Sequence, residues 1–192
     1  MAESPLIEAA TRWVMDEYAY NGYHLVRSLE WLDRIAPGSP EAVRLATLTH
    51  DMERAFPGPD QPVLTSFDDP EYLAAHSQRS ARIVGAWLRV QGAAAETVRE
   101  VEELIRVHEV GGSPEANLVQ AADSLSFLDC NIDLFLGMVR SGKRSVKEVR
   151  RKFDGSLDRI QVPHARELAL PMLEQANRRL AALESELSGG DE

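Results

Sequence analysis

Apolar side chains recur at helical spacing along almost the whole chain, as in Leu73, Ile83, Val84, Trp87 and Leu88, or Val98, Val101, Leu104, Ile105 and His108. That period predicts amphipathic helices, and no segment alternates with period two for long enough to make a strand. The ends of these runs carry helix punctuation. A Ser or Asp followed by Pro, which can cap free amides and then open a helix without losing a hydrogen bond, occurs at Ser4-Pro5, Ser39-Pro40, Asp69-Pro70 and Ser113-Pro114. Glu41, Glu71 and Glu115 follow three of these pairs and suit the positive end of the helix dipole. Stops fall at Pro37-Gly38, Gly92, Gly111-Gly112 and Gly142. The pattern predicts helices over 5–20, 22–36, 40–55, 70–91, 95–109, 114–139, 145–160 and 164–188. The expected fold class is all-α, a single-domain helical bundle over 1–187 with a frayed tail at 188–192.

Composition narrows the setting. The 192 residues hold 21 Lys+Arg against 31 Asp+Glu, a net charge of −10, with one cysteine and five histidines. This length supports one core without disulfide or metal staples. A lone cysteine (Cys130) forms no internal disulfide, which with the absence of a leader-like start points to a reducing, cytoplasmic setting. No run of about 18 apolar residues is present to span a membrane, and the negative charge argues against long nucleic acid as a partner. A small anion is the partner that the one basic segment would suit, and a homodimer is left open. One segment reverses the charge: Arg140, Lys143, Arg144, Lys147, Arg150, Arg151 and Lys152 against Glu148 alone, either a solvated helix face or a landing strip for an anion. A proline-rich stretch, 57–68, follows His50-Asp51 and reads as a lid or as a plain connection between diverging helices.

Four histidines (His24, His50, His76, His108) fall one per predicted helix, and His50 is followed at once by Asp51. Asp123 sits in an apolar stretch, with Val119 one turn before and Phe127 one turn after, so it should point into the core. A bare buried carboxylate is costly unless paired with a cation or metal. Imidazoles and carboxylates together suit borderline transition ions such as Fe, Mn, Zn, Co or Ni, and helical bundles build such sites from inward side chains on facing helices.

The order His24, His50-Asp51, Asp123 resembles the HD superfamily of metal-dependent phosphohydrolases, all-α proteins named for their His-Asp dipeptide, over about residues 22–135. The resemblance implies that His24, His50, Asp51 and Asp123 hold one divalent metal ion. His76 and His108 match the second-ion ligands of the two-metal branches, with Asp51 bridging. Many two-metal members read His-Asp-x-Gly-Lys; here the stretch is His50-Asp51-Met52-Glu53-Arg54, so Arg54 stands where that lysine would, a planar cation suited to phosphate oxygens. The acids that deoxynucleotidase-like members and alarmone hydrolases carry at that place, and the Gly-Tyr-Pro of cyclic-dinucleotide phosphodiesterases, are absent. Glu53 would point about 100° elsewhere on a helix, to solvent or behind the ligands.

The implied function is hydrolysis of a phosphate ester by metal-activated water, with one or two ions (Fe, Mn, Co, Ni or Zn) as cofactor. Asp51 and Arg54 are the expected catalytic residues. Arg27, Arg54 and Arg79 are the expected substrate contacts, Arg27 and Arg79 lying one turn past His24 and His76. The same ligand set serves the superfamily's di-iron oxygenases of the inositol-oxygenase and phosphonate-oxygenase type, and a non-catalytic sensor is a third reading. His164 is expected on the surface, Cys130 as an apolar filler, Asp129 and Asp133 in solvent or against the basic segment, and Trp13, Trp31 and Trp87 in the core.

Overall fold

The computed structural model describes residues 4–189, which form α1 (Pro5–Glu17), α2 (Gly22–Ile35), α3 (Glu41–Thr49), a 3-10 turn (Met52–Ala55), α4 (Pro70–Val90), α5 (Ala95–Val107), α6 (Pro114–Cys130), α7 (Ile132–Arg140), α8 (Val146–Asp158) and α9 (Pro163–Gly189). No strand occurs among the described residues, and none of their helices is long and apolar enough to cross a membrane. The centre of the bundle is α6, buried without a break from Val119 to Leu128, as expected of a helix without a consistent polar face. Around it pack α2, α3, α5, α8 and α9. Small residues (Ala121, Ala122, Ser124, Ser126) let those neighbours come close, while Leu125 and Val119 fill the gaps. Full burial of a side chain such as Leu125 stabilises the fold by about 1.5–3 kcal/mol. The α4–α5 hairpin lies against α3, and α1 closes the other side of α3.

The punctuation acts largely as expected. The side chain of Ser4 accepts from the Leu6 amide, that of Asp69 from Glu71 and Tyr72, and that of Ser113 from Ala116. Ser39 is a correction: its hydroxyl turns back to donate to the Ala36 carbonyl (2.7 Å), and α3 starts a residue later than predicted, with Pro40 at its cap. Two predicted helices are in fact divided. Residues 114–139 break at Asn131, a residue type that favours caps over helix interiors, which redirects α7 so that Phe135 and Leu136 face inward. Residues 40–55 break at His50-Asp51. At the far end α9 continues through Ser188 to Gly189, so those two residues are helical rather than frayed; the rest of the expected tail lies outside the described residues.

Gly111, which ends the α5 segment, has φ of +71°, and a Cβ there would run into the side-chain amides of Asn117 and Gln161. Both strain and overlap therefore oppose a side chain, at a cost of about 1–3 kcal/mol. We expect Gly111→Ala to lower Tm by roughly 3–9 °C; calorimetry showing no shift would contradict this account of the turn.

Candidate metal centre

Five segments deliver the candidate residues to one place. His24 comes from the buried face of α2, His50 and Asp51 from the end of α3, and His76 from the middle of α4. His108 comes from the end of α5 and Asp123 from the core of α6. Adjacent residues on a helix diverge by about 100°. His50 and Asp51 escape this because α3 stops there, with Asp51 at φ −101°, ψ 9°. Asp123 Oδ1 lies 3.1 Å from His24 Nε2 and 3.4 Å from His50 Nε2. Asp51 Oδ1 lies 2.9 Å from His76 Nε2 and 3.9 Å from His50 Nε2. His108 packs between His50 and His76, ring centroids 4.9 and 5.5 Å away. All six residues predicted from the sequence as metal-ligating are buried and brought together.

What each imidazole does with its other nitrogen matters most. His50 Nδ1 donates to the Thr47 carbonyl (2.9 Å) and His108 Nδ1 to the Ile105 carbonyl (2.7 Å). His76 Nδ1 donates to Glu53 Oε1 (3.0 Å). His24 Nδ1 donates to Ser126 Oγ (2.9 Å), whose own hydroxyl is spent on the His24 carbonyl (2.7 Å). All four rings are therefore held with Nδ1 protonated and Nε2 turned inward, the arrangement by which proteins orient metal-ligating histidines. Among the described residues the Nε2 atoms of His50, His76 and His108 have no hydrogen bond although they are fully buried. Buried polar atoms are rarely left so. Three overlapping sets, each with its donor atoms within 4.8 Å of one another, could hold an ion: His24, His50 and Asp123; His50, Asp51 and His108; His76, His108 and Glu109. The residues present fit a transition ion.

Burial disfavours every charge here, and the neighbours decide the outcome. Against burial, Arg54, His50 and His76 keep Asp51 well below the usual carboxylate range. Arg159, with His50 and His24, does the same for Asp123. His50, facing both carboxylates, is held up to about 9 despite burial. Because its Nδ1 already donates, the added proton would occupy Nε2, where it competes with a metal ion. Burial pushes His108 down to about 4, leaving it neutral.

The supporting residues depart from expectation. Arg27 is not at the centre. Three residues along a helix still leave a rotation of about 60°, and its guanidinium is taken by Glu30 and Asp129 on the outer surface. Arg79 is buried but braces the 3-10 turn: it donates to the Glu53 and Phe56 carbonyls (2.9 and 2.8 Å) and pairs with the Glu53 (3.2 Å) and Asp60 (3.1 Å) carboxylates. Arg54 alone of the three reaches the cavity, with Nε 3.4 Å from Asp51 Oδ2. Glu53 is buried between His76 and Arg79, behind a candidate ligand.

Sequence reasoning missed two residues. Glu109 Oε1 lies 3.7 Å from His108 Nε2, and its signal was the His108-Glu109 dipeptide, an echo of His50-Asp51. Arg159 clamps both Asp123 and Glu109 and donates to Ser124 Oγ (2.8 Å). It shares one face of α8 with Lys152, two turns away.

Over the centre opens a cavity of about 290 Å³ whose lining includes Tyr18, Asp51, Arg54, Tyr72, Asp123 and Lys152. The proline-rich stretch forms part of its wall through Gln61, Pro62, Leu64 and Phe67. It is pinned there: Asp60 by Arg79 and Arg82, the Leu64 and Thr65 carbonyls by Arg144, and Asp68 by Arg151 (3.3 Å). Asp129 pairs with Arg27 and Asp133 with Arg179, not with the basic segment. His164 is exposed, Cys130 is half-buried, and Trp13 stacks on Trp87 at 4.6 Å.

The chain matches no protein-family model, no curated protein and no solved structure. Its own geometry therefore carries the assignment: an all-helical bundle with buried His, Asp and Glu groups that could hold a metal ion.

Proposed function

We propose that the protein is a metal-dependent phosphohydrolase of the HD type, acting on the phosphate ester of a small molecule. The observation that supports this best is the set of four imidazoles locked with Nε2 inward around Asp51 and Asp123. In this reading His24, His50, Asp51 and Asp123 hold one ion, and Asp51, His76, His108 and Glu109 hold a second. Imidazole and carboxylate donors suit Fe, Mn, Co, Ni or Zn. Ions bound there supply a hydroxide nucleophile at neutral pH and charge to neutralise phosphoryl oxygens.

The chain's own residues do the rest. Arg54, partly open to the cavity, offers a fork of donors to the phosphoryl oxygens and turns the ester toward Asp51. Arg159 keeps Asp123 and Glu109 ionised and aimed. Glu53 fixes the His76 tautomer, and Arg79 holds Glu53. A cavity of about 290 Å³ is of a size to take a small ester.

The test is elemental analysis of protein purified without chelator, followed by a panel of phosphate esters in the metal found. One or two ions per chain are expected, with phosphate release that a chelator abolishes and the same metal restores. Coupled iron ions with oxygen uptake and no phosphate release would overturn the proposal in favour of a di-iron oxygenase. A protein that neither contains nor takes up metal would make it a sensor.

A further inference from the structure

We infer that the cavity takes a phosphate monoester with a compact, apolar organic part, and that Lys152 receives its charged head; this rests on the phosphohydrolase reading. Of the seven basic residues in 140–152, Lys152 alone lines the cavity over the centre. Arg144, Arg150 and Arg151 are paired with Glu148, Glu184 and Asp68, and Arg140, Lys143 and Lys147 are exposed. Among the described residues the Lys152 ammonium has no hydrogen bond and no carboxylate partner; it lies 5.0 Å from the centroid of the Phe127 ring. That ammonium is half-buried against an aromatic face, and the oxyanion of a ligand would give it the charged partner it lacks. Arg54, the other cation on the wall of the cavity, shares the phosphoryl oxygens with Lys152, whereas Arg159 is committed to Asp123 and Glu109.

The charge around the centre agrees. Asp51, Glu53, Glu109 and Asp123 face Arg54, Arg79, Lys152 and Arg159, four against four. Divalent ions would make the balance positive and draw an anion in. Opposite in character is the wall made by Leu134, Phe135 and Met138 of α7 with Phe67 and Phe127. Those side chains offer apolar surface, and Phe67 is held under the Arg144 guanidinium at 4.9 Å. At about 290 Å³ the space is at the low end for small-ligand pockets, about 300–1,000 Å³. It suits a short alkyl or aryl group.

The experiment is calorimetric titration of the metal-loaded protein with inorganic phosphate, n-butyl phosphate and adenosine monophosphate. Butyl phosphate should bind about tenfold more tightly than inorganic phosphate, through burial of its chain, and adenosine monophosphate more weakly than either. Lys152→Met should weaken both phosphates by about tenfold or more, with Lys152→Arg recovering most of the loss. Leu134→Ala, at a partly exposed position, should narrow the butyl preference and leave inorganic phosphate unchanged. Unchanged binding by Lys152→Met, in a protein that still hydrolyses esters, would overturn the role of Lys152 and spare the phosphohydrolase reading. Tighter binding of the nucleotide than of butyl phosphate would overturn the apolar substrate class. Failure of the wild type to bind any of the three would overturn both.

Discussion

Replacing Asp51 by alanine should empty the centre and stop turnover. Asp51 is the carboxylate nearest to His76 (2.9 Å) and within 3.9 Å of His50, so it is the natural bridge between the two halves of the cluster. Removing a group that merely supports a ligand costs about 10–100-fold in affinity or activity. Loss of a shared ligand should exceed that, with turnover down by about 10³-fold or more, and metal content falling at both positions. The fold should survive, because the apolar core lies along α6 and its neighbours rather than on Asp51. Elemental analysis, phosphate release and circular dichroism on one preparation separate these effects. A folded Asp51→Ala variant carrying its full metal and turning over at the wild-type rate would refute the assignment. Asp51→Asn, which keeps the shape but not the charge, should fail in the same way.

Arg159→Met should have the largest effect on stability, and a metal-dependent one. Arg159 is the cation between two buried carboxylates, Asp123 and Glu109, with side-chain exposures of 16%, 9% and 11%. Breaking a buried pair by removing one partner costs about 3–5 kcal/mol, because the other charge is left uncompensated. Here two acids are left. With chelator present, denaturant unfolding should show that loss. With the metal added, a large part should return, since ions held by His24, His50 and Asp123 and by His76, His108 and Glu109 would supply the missing positive charge. Equal destabilisation with and without metal would mean that Arg159 is a plain structural clamp with no connection to an ion.

The helices could be read from sequence because their signals are local. Ser4, Asp69 and Ser113 cap where they stand, and Gly38, Gly92, Gly111 and Gly142 all adopt positive φ. Asp123 and His108 could be read because each sits on an apolar stripe, where a polar residue calls for an explanation; His24, His50, Asp51 and His76 were legible only through the His-Asp dipeptide and the ordered set that carries the resemblance. Direction in space was harder. Arg27 and Arg79 share helix faces with His24 and His76, yet the first is captured on the surface by Glu30 and Asp129 and the second by the 3-10 turn. Glu30 lies within the ordinary three-residue helix spacing, but Asp129 is about a hundred residues away and no spacing rule names it or the carbonyls that take Arg79. Lys152 and Arg159 depend on which face of α8 turns toward α6, a matter of tertiary packing, while Glu109 reaches the centre from the turn that ends α5. The break at Asn131 depends on the room α7 finds beside Phe127 and Phe153.

The donors of this cluster are scattered from residue 24 to residue 123, with their clamp at residue 159. A chain made from its N-terminus therefore offers His24, His50, Asp51 and His76 well before Asp123 exists to join them. During that interval these side chains form open, incomplete sets that any available ion could visit and leave. If the centre holds an ion as proposed, its full donor set exists only once α6 is packed among its neighbours and Arg159, at the end of α8, is in place. On the proposed reading, the order of synthesis thus makes the later elements, α6 and α8, and not the first ligands, the point at which the contents of the centre would be decided.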